Sequence, residues 1–385
     1  MASLPCFIHT LQLCIHDSIL SQPSVKEILT LCRGIAGHFN RSAVSFAKLK
    51  NIQQQLNTAP HKMKQDVPTR WNSSFEMLNR MFEQKVSLAT YEAEFSDIAI
   101  PTQYQWGIVE KLVHVLAPFE KLTKTCGRRE ETAARIIPSV LALKVVLNKA
   151  SASDKYAGVT TMIEALKKSV TKRLDKFLLD KVLCVTTFLD PRFKLVYQHI
   201  TDNVIKTWVE EAWEELQEGI DSDSEDSSTA VKDAGLSSGF IDIEDCFEEV
   251  ANLRAGRKEK ENSQEAEAAL DETEDPAAEP EPRRKRKKSN AKILQEIDSY
   301  ISLPLLDKEG SPFAWWGNCG KQLEKLRKLA SKYLTAPPSS IESERLFSAG
   351  GNIYEATRNR LKSDNGEYLM FVHYNLKMHR QLKEK

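Results

Sequence analysis

The stretch VTTMIEALKKSVTKRLDKFL (Val159–Leu178) decides the fold class of this chain. Its apolar residues recur every three or four positions, which places them on one face of a helix of more than five turns. These residues are Val159, Met162, Ile163, Leu166, Val170, Leu174, Phe177 and Leu178. Strict two-residue alternation is nearly absent, and the best strand-like run, Val182–Leu189, could equally end a helix. The sequence therefore predicts a mainly α-helical protein.

Shorter stripes with the same spacing flank this stretch on both sides. They are Ile8, Leu11, Ile15 and Ile19; Trp106, Val109, Val113 and Leu116; Leu323, Leu326, Leu329, Ala330 and Tyr333; and Leu369, Val372 and Leu376. Two helix starts fit the capping box, in which a serine precedes a glutamate by three residues: Ser73 with Glu76, and Ser339 with Glu342. The second start places Glu342 and Glu344 in an opening turn, where the helix dipole favours carboxylates.

Composition limits the class of protein. The 385 residues carry 54 Lys+Arg and 54 Asp+Glu, and 41% are hydrophobic, which is enough for one large or two to three ordinary domains. There is no uncharged apolar run long enough to span a membrane, and the start does not resemble a secretory signal. Seven scattered cysteines favour a reducing compartment over a disulfide framework.

Charge is distributed unevenly along the chain. From Asp221 to Pro282 there are 20 acidic and 5 basic residues, a net charge of −15, and the stretch is rich in Ser, Ala and Pro. Such a segment cannot bury enough apolar surface to fold, so residues 221–290 are predicted to be disordered. One apolar island interrupts it and could be a partner-binding helix or a continuation of the preceding helix. The island consists of Phe240, Ile241, Ile243, Cys246 and Phe247.

A dense basic run follows the acidic tract. It consists of Arg283, Arg284, Lys285, Arg286, Lys287 and Lys288. Such a run is typical of a nuclear import signal or a phosphate-binding patch, although it could simply neutralise the acidic tract. We predict that import machinery recognises the run and that the protein is nuclear.

Three further motifs have both a structural and a chemical interpretation. Arg70 and Trp71 precede a helix, where they could pack structurally or stack a base and hold a phosphate; packing is the commoner use. Cys6 and His9, with Cys14 and His16, include zinc-ligand types, but their spacing favours a structural pair over a metal site. Glu342 and Glu344 could hold a divalent cation, but residues at a helix start more often serve as caps.

The last 95 residues are rich in aromatic and apolar side chains. Trp315 and Trp316 precede a leucine stripe, a pattern typical of a docking surface within the chain or between chains. Further along, the chain contains Phe347, Tyr368, Leu369, Phe371, Val372 and Tyr374. We predict a self-associating C-terminal module.

Four segments together resemble the hAT transposase superfamily, specifically its domesticated BED-type zinc-finger relatives. They are CFIHTLQL (Cys6–Leu13), DVPTRWNSSFEML (Asp66–Leu78), FLDPRFK (Phe188–Lys194) and the segment Ser311–Leu361. The resemblance implies a ribonuclease-H-like core interrupted by an all-helical insertion, with a helical C-terminal dimerisation region. It divides the chain into a core remnant (1–70), a helical insertion (71–220), the acidic tract (221–290) and the dimerisation region (291–385).

The resemblance also implies a function. Family transposases cut and join DNA with two Asp and one Glu that hold metal ions, and Glu344 matches the Glu. Trp71 matches a tryptophan that stacks on a flipped base, so Arg70 and Trp71 are the candidate DNA contacts. In the family both Asp residues and the BED finger lie upstream of the Cys6 position, so we expect no metal, no cofactor and a vestigial Glu344.

The prediction is therefore a nuclear, catalytically inactive, transposase-derived protein that forms a homodimer and acts in chromatin or transcription, without a membrane partner. The residues predicted to form the dimer are Trp315, Trp316, Leu326, Leu329, Phe347, Leu369 and Phe371. Two alternatives remain: a metal-dependent DNA transposase fragment that needs upstream Asp residues, and a DNA-binding protein without catalysis.

Overall fold

The computed structural model describes residues 5–195, 200–218, 243, 245–250, 252, 288–354 and 362–383. Within these ranges the structure is helical and has no strand, which confirms the prediction of a mainly α protein. Before residue 220 the helices are α1 (Phe7–Ile15), α2 (Pro23–Arg41), α3 (Ala43–Gln55), α4 (Trp71–Glu83), α5 (Lys85–Phe95), α6 (Gln103–Cys126), α7 (Ile136–Ser151), α8 (Thr160–Leu178), α9 (Lys181–Leu189) and α10 (Asp202–Glu218). After residue 287 they are α11 (Lys288–Ser302), α12 (Pro312–Asn318), α13 (Glu324–Tyr333), α14 (Ile341–Ile353) and α15 (Ser363–Lys383).

The predicted apolar stripe of α8 lies at the centre of the molecule. Leu166, Val170 and Leu174 are fully buried between α7 on one side and α1 on the other. α1 continues into a π-helical turn, His16–Leu20, which also packs against α8, and Phe7 meets Phe177 edge-on at 6.0 Å. The predicted core remnant (1–70) and helical insertion (71–220) therefore share one hydrophobic core. Residues 7–55, within the predicted ribonuclease-H-like remnant, are almost entirely helical, and that assignment stays a prediction.

Both predicted capping boxes are wrong in detail. α4 begins at Trp71, so Ser73 lies inside the helix. The Ser73 hydroxyl accepts a hydrogen bond from the amide of Val67 (2.8 Å) and donates one to the carbonyl of Arg70 (2.7 Å). α14 begins at Ile341. The Ser339 hydroxyl does not cap this helix and instead donates to the carbonyl of Cys126 at 3.1 Å. The local sequence pattern is present at both places, but Ser73 bonds to the turn that precedes α4, and Ser339 bonds to a residue far away in the sequence. Glu342 and Glu344 do lie in the first turn of α14.

Part of the predicted disordered tract belongs to the core. Residues 245–250 are helical, and four side chains of this part are buried: Ile243, Cys246, Phe247 and Val250. The Phe247 ring lies 6.5 Å from that of Phe193, and Glu249 forms an ion pair with Lys149 of α7. This part contains the apolar island that interrupts the predicted disordered tract, and its apolar side chains pack in the interior of the chain's own fold. Most of the remaining tract lies outside the described residues.

A joint of buried charges connects α9 to the C-terminal helices; we use the term joint for residues Phe188–Lys194. The Arg192 guanidinium bonds to Asp190 and to Glu131, both at 2.7 Å, and Arg135 bonds to Glu131 at 2.6 Å. All four side chains are at most 6% exposed. Burial raises the pKa of the Glu131 carboxyl, but the guanidinium groups of Arg135 and Arg192 outweigh it and hold that pKa below its usual value.

Lys194 completes the joint from a left-handed backbone conformation, φ 40°. Its ammonium donates to the carbonyls of Tyr300 (2.8 Å), Leu303 (2.7 Å) and Pro304 (3.3 Å), at the end of α11. A cation at a helix C-terminus is favoured because it satisfies carbonyls that have no partner in the helix. Burial lowers the pKa of Lys194 to about 8.

Aromatic packing reinforces the same contact. The indole of Trp316 donates to the carbonyl of Leu189 at 2.8 Å, and its ring lies 5.1 Å from that of Tyr300. Tyr300 in turn meets Phe188 at 5.3 Å. The α11 carboxylate of Glu296 accepts the amides of Lys325 and Leu326 and so caps the start of α13. The C-terminal region up to α13 is thus part of the main core.

Candidate functional site

The C-terminal hairpin, which we define as α14 and α15, differs from the rest of the fold because it packs chiefly on itself. Gly350 of α14 allows close approach of Met370, since a Cβ on this glycine would lie 3.0 Å from the methionine sulfur. Gly366 of α15 makes room for Tyr354, whose hydroxyl donates to the carbonyl of Ser363 at 2.9 Å. Glycine at these two positions therefore permits the two helices to meet.

The hairpin contacts the core through a short segment, residues 336–341, which we call the seat. The amide of Ala133 donates to the carbonyl of Ala336 at 2.8 Å, and the Ser339 hydroxyl donates to Cys126, as described above. The amide of Ser340 points at the half-buried Cys6 sulfur, 3.4 Å away. Ile341 lies against Gly127. These contacts fix where α14 begins, but they leave most of the hairpin without a covering layer.

The uncovered face of α15 is apolar. Met370 and Gly366 are four residues apart on the side that meets α14, so residues half a turn away point outward. These outward residues are large: Tyr368 is 71% exposed and Phe371 is 67% exposed. On α14, Phe347 is 77% exposed. The other exposed large apolar residues of the hairpin are Leu346, Tyr354, Leu369, Val372 and Leu376.

Such a concentration is unusual for a surface that faces only water. Single exposed apolar side chains are normal, but contiguous apolar patches mark contact with another molecule. A tyrosine and two phenylalanines are also among the residue types enriched at the centres of protein–protein interfaces. The hairpin is therefore the best candidate interaction surface of the described structure.

The predicted dimer residues separate into two groups. Trp316, Leu326 and Leu329 are 4%, 0% and 0% exposed within this chain, where they pack at and beside the joint. Trp315 is half-buried and contacts Tyr300 and Trp316. A side chain that its own chain covers cannot contact a second copy, so Trp316, Leu326 and Leu329 do not form a dimer surface in this fold. Phe347, Leu369 and Phe371 are exposed on the hairpin.

Glu344 lies on the exposed first turn of α14. Its carboxylate accepts the hydroxyl of Ser340 at 3.1 Å, and the neighbouring Glu342 forms an ion pair with Arg345. Across the described ranges no cluster of three or more His, Cys, Asp or Glu side chains surrounds it or any other point. Glu344 is thus placed as an anion at a helix N-terminus, where it is electrostatically favoured.

The candidate DNA contacts also separate. Trp71 is 2% exposed, and its ring packs against that of Phe75, with centroids 6.2 Å apart. Base stacking requires an accessible ring face, so the buried position of Trp71 favours the packing interpretation over the stacking one. Arg70 is exposed and remains accessible. The basic run from Arg283 to Lys287 lies outside the described residues, and Lys288 begins α11.

Comparison with known proteins supports the resemblance at both ends of the chain. Residues 4–115 match the ZBED1 RNase-like helical domain, and residues 296–376 match the hAT family C-terminal dimerisation region. The chain is thus similar to hAT-derived BED-type zinc-finger proteins in both of these regions. The second match contains all of α12–α14 and most of α15, and therefore both the joint's C-terminal partners and the hairpin.

Individual relatives agree with this assignment. Zinc finger BED domain-containing protein 4 of Homo sapiens is 28% identical over 376 residues, which is 97% of this chain and 29% of that protein. Zinc finger BED domain-containing protein 6 of Homo sapiens is 22% identical over 97% of this chain and 38% of that protein. A putative AC transposase of Zea mays is 24% identical over 79% of this chain and 36% of that protein. The chain thus spans about a third of the length of these relatives.

The buried joint is the main feature that reasoning from sequence missed. Asp190, Arg192 and Lys194 lie in the FLDPRFK segment, which the sequence singled out only by resemblance. Three charged residues among seven, beside two phenylalanines, are compatible with either a solvated loop or a buried network.

Among the described helices, none has the length and apolar character that a membrane span requires.

Proposed function

We propose that this chain is a nuclear, catalytically inactive, hAT-transposase-derived protein that self-associates through its C-terminal hairpin and acts in chromatin or transcription. The observation that supports self-association most is the uncovered apolar face centred on Phe347, Tyr368 and Phe371. The match of residues 296–376 to a dimerisation region points the same way. Inactivity is proposed because the Glu344 carboxylate is engaged by the Ser340 hydroxyl on an exposed helix turn, and the described residues contain no group of three or more His, Cys, Asp or Glu side chains.

A symmetric dimer suits this surface. In a two-fold arrangement each copy contributes the same patch, so a single apolar face covers itself. Burying a phenylalanine side chain contributes roughly 1.5–3 kcal/mol, so a few such residues can offset the entropy lost on association. The nuclear assignment rests on the basic run from Arg283 to Lys288, and the chromatin role rests on the relatives.

The test is the molar mass in solution, measured by light scattering, of the full chain and of a Phe347→Asp/Phe371→Asp variant. We expect the parent protein to have twice the 43.6 kDa of one chain and the variant to have once that mass, with unchanged helix content. Carboxylates in the centre of an apolar interface leave buried charges without partners, and this cost prevents association.

The matched control is Val86→Asp/Tyr104→Asp. Val86 is 59% exposed and lies on α5, and Tyr104 is 71% exposed and lies in the first turn of α6. Both residues are far from the hairpin in the sequence. The control should keep the mass of the parent. A parent that stays at the mass of one chain at micromolar concentration would contradict the proposal.

A further inference from the structure

A short acidic amphipathic segment lies on the joint. It consists of the helical residues 245–250 together with Ile243, and we call residues 243–250 the docked segment. Its apolar side chains have the helical spacing i, i+3, i+4, i+7 and are at most 6% exposed: Ile243, Cys246, Phe247 and Val250. Its acids lie at the edge, where Asp245 and Glu248 are exposed and Glu249 is half-buried.

The docked segment covers an aromatic floor. The ring of Phe193, in the joint, lies 6.5 Å from that of Phe247 and is 4% exposed. The guanidinium groups of Arg135 and Arg192 lie 5.5 and 5.0 Å from the centre of the Phe193 ring. Both guanidinium groups are held by buried carboxylates of the joint and its partner Glu131. The floor is therefore fixed by the joint itself rather than by the docked segment.

Two lysines flank this floor, and both form ion pairs with the docked segment. Lys149 of α7 pairs with Glu249, and Lys308, between α11 and α12, pairs with Glu248 at 3.3 Å. The hydrogen bond to Glu249 raises the pKa of Lys149, and the negative charge of Asp245 acts in the same direction. These ionic side chains are partly exposed, so the pairs add selectivity more than affinity. We call Phe193, Lys149 and Lys308 the Phe193 groove.

We propose that the Phe193 groove is a docking site for an acidic amphipathic helix of a partner protein, and that the docked segment is its exchangeable intramolecular occupant. Apolar residues at i, i+3, i+4 and i+7 are the usual anchors of a helix that binds in a groove. Acids beside these anchors match Lys149 and Lys308, whereas a basic helix is repelled by them. The partner is thus defined by its apolar spacing and its acidic flanks.

The length of chain on each side of the docked segment permits exchange. There are 24 residues between Glu218 and Ile243 and 35 between Asn252 and Lys288, so the segment can leave the groove without moving α10 or α11. Tethers of this kind hold an occupant at an effective concentration of about a millimolar, which a partner helix of higher affinity outcompetes. The docked segment is therefore an autoinhibitory cover. The groove shares no residue with the hairpin, so this proposal does not depend on self-association.

The test adds a synthetic peptide of residues 240–252, carrying Cys246→Ala, to the full chain. The readout is the rate at which Cys246 of the chain is alkylated, followed by mass spectrometry of its tryptic fragment. Because Cys246 is 0% exposed, it reacts when the docked segment leaves the groove. At about 1 mM peptide, close to the effective concentration of the tethered segment, the rate should rise at least about tenfold and saturate.

A charge-reversal cycle separates specific docking from general adhesion of an amphipathic peptide. A fluorescein-labelled peptide of the same residues should bind the parent chain more tightly than its Glu248→Lys/Glu249→Lys version, as measured by anisotropy. On the Lys149→Glu/Lys308→Glu chain this preference should invert, because the charges of groove and peptide are then exchanged. A Phe347→Asp/Phe371→Asp chain, altered only on the hairpin, should bind the peptide as the parent does.

Three outcomes would overturn the proposal. Alkylation of Cys246 that does not change with peptide would show that the docked segment is a permanent part of the core. A preference that does not invert, or binding that is lost in the hairpin variant, would place the peptide elsewhere. A disulfide between copies in a mixture of Phe193→Cys and Phe247→Cys chains would assign the groove to a second copy of this chain instead of a partner protein.

Discussion

The C-terminal partners of the joint and the C-terminal hairpin lie within the same 81-residue family match but use opposite chemistry. At the joint, buried charged side chains of residues 131–194 pack against the end of α11 and the aromatic side chains of α11 and α12. On the hairpin, large apolar side chains face outward, and the helices are held by two close glycine contacts and a short seat. Aromatic residues are abundant in both regions, but only those of the hairpin are exposed to solvent.

This difference shows that aromatic content alone does not locate an interface. Trp316 and Phe371 have similar hydrophobic value, but Trp316 already has its partners within the chain. Association is driven by apolar area that the monomer leaves in water, and only the hairpin residues provide such area. Substitutions at the buried joint should therefore cost more stability than substitutions at exposed sites.

The largest effect is expected for Trp316→Ala. Removing this buried indole leaves a cavity, and the free energy of unfolding should fall by about 3–5 kcal/mol. Urea unfolding followed by circular dichroism measures it. The matched variant Phe371→Asp, measured at a concentration at which the chain is monomeric, should change stability by less than about 0.5 kcal/mol because this side chain is largely in water. Similar losses in both would erase the distinction.

A slightly smaller effect is expected for Arg192→Met. The substitution leaves Asp190 and Glu131 buried with fewer cations, and breaking a buried pair from one side costs about 3 kcal/mol or more. The matched control is Lys181→Met, whose ion pair with Glu211 is exposed and contributes about 1 kcal/mol or less. Thermal unfolding of both variants gives the comparison, and equal losses would show that the joint is not a special site.

The smallest effect concerns pH. Lys194 has a pKa of about 8 in the folded chain and an ordinary value of 10.5, so the unfolded chain holds more protons between these values. The free energy of unfolding of the parent should therefore rise between pH 8 and 10.5 relative to that of Lys194→Met, by at most about 3 kcal/mol. Below pH 8 the difference should be constant. Parallel curves across the whole range would contradict the assignment.

Helices and their buried faces follow from the sequence because periodicity records which side is apolar. The stripe from Met162 to Leu178 lies on α8 as predicted, and the strand-like run Val182–Leu189 falls within α9. Periodicity does not distinguish a face buried by the same chain from one buried by a partner, which is why Leu326 and Leu329 were assigned to a dimer. That distinction requires knowing how distant segments meet.

The failures have related causes. Trp71 matched a motif, but its accessibility depends on how α4 packs, which no local pattern encodes. The sequence shows the apolar island around Phe247, but it does not show whether a partner or the chain's own core covers these side chains. Ser73 and Ser339 fitted capping boxes but are engaged by contacts that precede each helix or lie far along the chain.

The buried helical residues 245–250 have a practical consequence for shortening the chain. Through Phe247 and Glu249 they connect the sequence between α10 and α11 to the core. A deletion of 221–290 would therefore remove a piece of the core and leave Phe193 and Lys149 without these contacts. An excision that starts after Asn252 and ends before Lys288 would keep both contacts, and the entropy of closing a chain segment changes little with its length.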